Sequence, residues 1–160
     1  MLVDVTVCPI RRPQSQAIQR LFYSGKHKDH VIKWECAVSI RSGKFVWFSD
    51  FFPGKVHDIK ILKSSGLLEE LVVNEKLMGD KAYVGLNAVI TPFRGRNLNQ
   101  QQEEHNQLVN QKRVLIERSF GRLKNFKCLK DDWRNSFSKH KMAFIVCVHL
   151  TNLLITESPL

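Results

Sequence analysis

The chain has 160 residues, of which 43% are hydrophobic, and its 25 basic and 15 acidic side chains give a net charge of +10. This length and apolar content suit one folded domain and exclude a disordered chain. The positive surplus favours a polyanionic partner, because each cation placed on a phosphate releases a condensed counterion. The alternative is a generally basic surface that binds no polyanion.

Several classes of protein lack their usual signals in this sequence. The longest apolar run, 143–148, is too short to cross a bilayer, and the N-terminal segment is too short and acidic for a signal peptide. The four cysteines form no CxxC pair, which predicts reduced thiols without disulfides or a zinc knuckle. No Gly-rich phosphate loop and no GxSxG motif is present. We therefore expect neither a membrane protein nor an ATPase or serine hydrolase.

The predicted elements follow the chain as three strands, a helix, two short strands and two helices. The strands are expected at 2–7, 31–40, 45–52, 75–79 and 88–92. The helices are expected at 57–73, with an interruption at Gly66, and at 99–127 and 138–156. Residues 8–30 are interpreted as an irregular basic arm. This order predicts an α/β fold in which helices flank a mixed sheet.

Two aspartates follow or interrupt apolar segments. Asp4 lies within VDVTV, and aspartate is depleted in strands, so its presence there calls for a reason. Asp80 follows Gly79 in LMGDKAY, where the glycine lets the backbone turn. The alternatives are a solvent-facing residue at a frayed chain start for Asp4, and an ordinary turn aspartate for Asp80.

The long predicted helix carries a third carboxylate and many cations. Glu117 lies in RVLIERSFGRLK beside the apolar stripe, and its alternative role is a surface ion pair with Arg113 one turn earlier. Residues 112–141 contain ten basic and three acidic side chains, which favours a surface for the DNA backbone over a merely solvated helix face. The candidate DNA contacts are Arg118, Arg122, Lys124 and Lys127.

Five blocks of the sequence resemble, in order, the DDE transposases of the PIF/Harbinger superfamily. They are DVTVCPIRRP, FYSGKHKDHVIKWE, FPGKVHDIKIL, MGDKAYVG and KRVLIERSFGRLKNFKCL. They run from Asp4 to about Leu129. The chain departs from the family at Val5, where a small residue is usual, and at Val7, where many relatives carry a carboxylate.

The resemblance implies a single RNase H-like endonuclease domain over 1–160 that cuts and joins DNA at transposon ends with Mg²⁺ or Mn²⁺. It implies that Asp4, Asp80 and Glu117 are the catalytic, metal-holding carboxylates and that Asp58 is a further metal ligand. It also implies a nuclear protein, with the cytoplasm as the alternative, and a Myb-like DNA-binding partner; a homo-oligomer is left open. We further expect the domain to be cut short at its N-terminus and to lack a separate DNA-binding domain.

The departures leave a second hypothesis open. A domesticated copy would keep the fold and the basic surface and would bind DNA or a partner protein without cutting.

Overall fold

The computed structural model describes residues 1–160 and contains six strands in one mixed sheet. The strands are β1 (Leu2–Pro9), β2 (Tyr23–Ser24), β3 (Asp29–Val38), β4 (Phe45–Pro53), β5 (Leu77–Met78) and β6 (Val89–Ile90). Strand β3 pairs antiparallel with β1, β2 and β4, whereas β5 runs parallel to both β1 and β6. This confirms the predicted mixed sheet, and its strand arrangement is consistent with an RNase H-like fold.

Five helices flank the sheet. They are α1 (Gln16–Phe22), α2 (Asp58–Ser64), α3 (Gln100–Leu123), α4 (Lys127–Lys130) and α5 (Phe137–Glu157), and a short 3-10 turn covers Lys81–Tyr83. None of these helices combines the length and the apolar character needed to cross a bilayer.

The core has two layers because both faces of the central strands are covered. Residues 31–38 of β3 are all buried, which is typical of a strand packed on both sides. One face packs against α3 and α5, where the ring of Trp34 stacks on Phe144 with centroids 4.0 Å apart. The opposite face packs against α2 and the loops after β5, around Leu62, Leu77 and Tyr83.

The long helix α3 begins where the sequence predicts and ends earlier. Asn99 accepts from the backbone N–H of Gln102, whose side chain accepts in return from the Asn99 N–H, and this reciprocal cap fixes the start. The helix ends at Leu123 rather than near residue 127, and the chain turns before α4. The predicted apolar stripe is confirmed at Val109, Ile116 and Leu123.

Three other predictions of local structure were wrong in part. The arm at 8–30 is not irregular throughout, since it contains α1 and β2. The interruption predicted at Gly66 is present, since α2 ends at Ser64 and Gly66 adopts a left-handed backbone with φ of 90°, but the helix predicted to continue to residue 73 does not resume. The apolar pattern of 99–127 also predicts that Leu108 belongs to the buried stripe, but Leu108 is 52% exposed, because its side chain lies outside the face that packs on the sheet.

Candidate active site

The first carboxylate lies in the middle of the sheet. Asp4 is on β1 opposite Cys36 of β3, and its Oδ1 accepts from the backbone N–H of Val5 at 2.8 Å. Burial raises the pKa of Asp4 to about 6. The hydrogen bond from the Val5 N–H lowers this pKa, whereas the negative charge of Asp80 raises it. Asp4 is therefore a partly desolvated carboxylate whose ionised form gains from a nearby cation.

Strand register brings the second carboxylate alongside the first. Leu2 of β1 and Met78 of β5 are parallel partners, and Asp4 and Asp80 each follow their paired residue by two positions. Adjacent parallel strands are about 5 Å apart, so these two residues leave the sheet side by side.

A tight turn holds Asp80 after the end of β5. Its Oδ1 accepts from the backbone N–H of Ala82 at 2.8 Å, which caps the 3-10 turn. Gly79 does not serve here as a flexible hinge, because its φ is not positive; a Cβ there would lie 2.7 Å from the ring of Tyr83. The glycine thus allows the Tyr83 ring to pack under the turn that carries Asp80.

The third carboxylate reaches this region from α3. Ile116 is fully buried against the sheet, which leaves Glu117 at the edge of the packed face with a side chain that is 59% exposed. Arg113 Nη2 lies 3.3 Å from Asp4 Oδ2 and 3.8 Å from Glu117 Oε1. The ion pair weighed as the alternative role of Glu117 is therefore present, and the same guanidinium links Glu117 to Asp4. No atom lies within 4 Å of a Cβ built at Gly121, so no element packs closely there.

Asp58 approaches the site from α2, which packs on the opposite face of the sheet. It is the first residue of that helix, and its Oδ1 accepts from Lys33 Nζ at 2.9 Å. Both side chains are largely buried, at 14% and 7% exposure. The carboxylate therefore has a fixed cationic partner.

Most of these carboxylates line one cavity of about 270 Å³. Asp4, Asp58 and Asp80 all line it, together with Arg113. Glu117 does not line the cavity and is connected to it through Arg113. Carboxylate oxygens are the donors that a hard divalent cation prefers, so the donor set fits such an ion chemically. No three acidic, histidine or cysteine side chains converge closely enough in this arrangement to hold one ion.

The four candidate DNA-contacting side chains divide into two pairs. Arg118 and Lys127 are exposed. Arg122 donates to the backbone oxygens of Leu154, Ser158 and Pro159, and so ties α3 to the end of α5. Lys124 Nζ donates to the backbone oxygens of Val7 and Leu129. Only the first pair has cationic groups without such internal partners.

Two charged residues of β3 were not predicted as part of the site. Lys33 and Glu35 are 6% and 0% exposed, and neither oxygen of Glu35 has a hydrogen-bond partner. Burial raises the pKa of Glu35 to about 7; the nearby Ser65 hydroxyl acts in the opposite direction, and the charges of Asp58 and Asp4 raise it further. The signal in the sequence was the pair of charges inside the otherwise apolar stretch 31–38.

Comparison with known proteins places this arrangement in a family. The family model described as "DDE superfamily endonuclease" matches residues 3–152, a span that contains Asp4, Asp80 and Glu117. The chain belongs to the DDE superfamily of endonucleases. Members of this superfamily generally use divalent metal ions, and transposases of the superfamily act on DNA.

The chain is also similar to a protein that is named as a transposase. Over 143 residues, this DDE endonuclease chain is 31% identical to a protein of Microchaete diplosiphon named "Probable transposase for insertion sequence element IS702". The match covers 84% of the chain and 50% of the relative, so the chain spans about half the length of that protein. No solved structure matches the chain. Family and relative together support a transposase or nuclease function for this DDE domain.

Proposed function

We propose that this chain is the catalytic core of a metal-dependent DNA transposase of the PIF/Harbinger type, which cuts and joins phosphodiesters at transposon ends. The observation that carries the proposal is the single cavity lined by Asp4, Asp58 and Asp80, with Arg113 connecting it to Glu117. Membership in the DDE superfamily supports the nuclease chemistry. The assignment to the PIF/Harbinger type rests on the five sequence blocks that resemble that superfamily.

Asp4, Asp80 and Glu117 are the proposed catalytic carboxylates, with Asp58 as a further ligand. They would hold Mg²⁺ or Mn²⁺, both of which accept carboxylate oxygens. When bound, the metal activates the attacking oxygen and stabilises the leaving oxygen of the phosphodiester. Strands β1 and β5 fix two of the carboxylates on the sheet, while α3 delivers the third from one side.

Nicking of a supercoiled plasmid tests this proposal without knowledge of the target sequence. We expect nicks in Mg²⁺ or Mn²⁺ and none in EDTA. Asp4→Asn, Asp80→Asn and Glu117→Gln should each abolish nicking, whereas Glu103→Gln, at an exposed acid in the first turn of the same helix, should not. Nicking that persists in Asp80→Asn and Glu117→Gln would contradict the assignment of the site.

The resemblance to the PIF/Harbinger transposases also supports proposals about the domain, the partner protein and the location in the cell. We propose one endonuclease domain over 1–160, a Myb-like protein that supplies DNA recognition, and function in the nucleus. The net charge of +10 suits contact with DNA, and a homo-oligomer would bring two such sites to two transposon ends. Co-purification with a Myb-like partner from nuclear extract, and size-exclusion chromatography with light scattering, would test the partner and the oligomer.

A protein that binds DNA or a partner without cutting is the second candidate. The observation in its favour is Arg113, whose guanidinium lies between Asp4 and Glu117 and compensates their charge. Such a protein would bind plasmid DNA and leave it intact in both metals. The plasmid assay, run beside a binding assay, therefore separates the two functions.

A further inference from the structure

A second cavity, of about 540 Å³, opens beside the carboxylate cavity. The turn after β2 forms one wall of it, and the turn between β4 and α2 forms the other. Lys26, Lys33 and Asp58 line both cavities, so the two are adjacent. A long ligand at the carboxylate cavity would therefore lie next to the second one.

Close contacts hold the turn between β4 and α2 against the end of α1, directly before β2, and against β3. The backbone N–H of Lys55 donates to the backbone oxygen of Leu21 at 3.1 Å. A Cβ at Gly54 would overlap the backbone oxygen of Phe22 and lie 2.8 Å from Val31 Cγ2, so only glycine permits this approach. The cavity is thus a built feature of the fold and does not depend on the positions of surface side chains alone.

A buried ammonium group at the junction has donor capacity left. Lys33 Nζ donates to the backbone oxygen of Val56 at 2.8 Å and to Asp58 Oδ1 at 2.9 Å. A lysine ammonium has three N–H donors, so one remains for a ligand. Because the side chain is only 7% exposed, this donor sits in a poorly solvated place where a bond to an anion is strong.

The remaining charge of the cavity is positive. Lys26 and Lys55 line it, and its one acid, Asp58, is already paired with Lys33. From the buried donor, the cations and the position beside the carboxylates, we infer that this cavity binds phosphate groups of a DNA strand that lies at the carboxylate cavity. The inference rests on the proposed function in one respect, namely that DNA is the substrate.

DNA binding in EDTA tests the inference apart from catalysis. We would titrate a fluorescent duplex with the full chain, with Lys26→Ala/Lys55→Ala, and with Lys60→Ala/Lys63→Ala as a charge-matched control from α2. Lys60 and Lys63 are exposed and lie outside the cavity. The cavity pair should weaken binding by about tenfold and lower the salt slope by about two, roughly one for each phosphate that is no longer neutralised. The control pair should change affinity by less than about twofold.

Binding of inorganic phosphate, measured for the same variants, distinguishes a site for DNA phosphates from a site for free phosphate. Equal losses of DNA affinity in the two double variants, or no loss of DNA affinity in the cavity pair, would overturn the inference. It would also be overturned if the cavity pair lost binding of inorganic phosphate while keeping its affinity for DNA, since the cavity would then be a small-anion site.

The outcome is separable from that of the proposed function. Weakened DNA binding in the cavity pair, together with a wild-type chain that never nicks plasmid, would support the cavity and reject the nuclease. If the wild-type chain nicks plasmid and the cavity pair binds DNA as the wild type does, the nuclease would be supported and the phosphate-binding role of the cavity would be rejected.

Discussion

Arg113 Nη2 lies 3.3 Å from Asp4 Oδ2, although the two residues are 109 positions apart in the chain. Both side chains are mostly buried, at 17% and 20% exposure, so the attraction is screened less than at an open surface. The guanidinium places a positive charge beside Asp4, where the proposed metal ion would also place one. Arginine and metal are therefore expected to compete for the Asp4 carboxylate.

Replacement of Arg113 should tighten metal binding. Arg113→Gln removes a positive charge within 4 Å of Asp4 and Glu117, and we expect Mn²⁺ affinity to rise by at least about threefold. The measurement is isothermal titration calorimetry at pH 8, because loss of the arginine removes a charge that lowers the pKa of Asp4, now about 6. Lys112→Gln, which removes an exposed charge next to it, is the control. Weaker Mn²⁺ binding in Arg113→Gln would mean that the arginine organises the site instead of competing for it.

The two kinds of cation at the end of α3 and the start of α4 should respond differently to mutation. Arg122→Ala should destabilise the fold by about 0.5–1.5 kcal/mol, because backbone oxygens of Leu154, Ser158 and Pro159 lose a charged donor that water replaces only in part. Arg118→Ala/Lys127→Ala should leave stability within about 0.5 kcal/mol while weakening DNA binding and lowering its salt slope by up to about two. Urea denaturation and fluorescence anisotropy measure the two effects. Unchanged DNA binding in the second variant would move the DNA to another face.

Glu35 should make the protein less stable as the pH rises. Its pKa is about 7 in the folded chain against a usual value of 4.5, so the folded state keeps a proton that the unfolded state has released. The contribution of Glu35 to the free energy of unfolding should therefore fall between about pH 4.5 and 7 and level off above that.

Glu35→Gln should flatten this decline, as measured by urea denaturation at pH 5 and pH 8. A smaller decline of stability with pH should remain in Glu35→Gln, because the pKa of Asp4 is also raised, to about 6. Glu70→Gln, at an exposed acid, serves as the control. A slope in Glu35→Gln as steep as in the wild type would show that Glu35 ionises without penalty.

His140 should make a contribution to stability that is lost as the pH falls. Burial lowers its pKa to about 4 from 6.5, and neither ring nitrogen has a hydrogen-bond partner. The unfolded chain takes up a proton on this residue below about pH 6.5 that the folded chain resists, so the contribution of His140 to stability falls as the pH drops from 6.5 to 4. In this range it opposes the contributions of Glu35 and Asp4, which rise as the pH drops.

His140→Phe should reduce this acid sensitivity and preserve the aromatic packing on Trp34, whose ring centroid is 5.8 Å away. Thermal unfolding at pH 7 and pH 5 measures the difference. His149→Phe, at an exposed position of the same helix, should leave the difference between the two pH values unchanged. An equal loss of thermal stability at pH 5 in His140→Phe and the wild type would contradict the prediction.

The sequence by itself determined the elements whose residues carry a local pattern. The alternation after Leu2 predicts β1, the apolar stripe within 99–127 predicts α3, and the apolar period near the C-terminus predicts α5; all three are present. The three carboxylates were proposed from sequence blocks because residue type and order are visible in a chain. Such features depend on neighbours within a few positions, which periodicity and capping rules describe.

Tertiary structure alone decided how these parts meet. The pairing of Leu2 with Met78, which sets Asp4 beside Asp80, depends on strands separated by about half of the chain. The same holds for the bond of Arg113 to Asp4 and for Lys124, which looks like a DNA-facing cation in sequence but donates into the fold. Local periodicity tells which face of an element is buried but not which distant partner covers it. Strand register and long-range ion pairs therefore emerge only when the sheet is assembled.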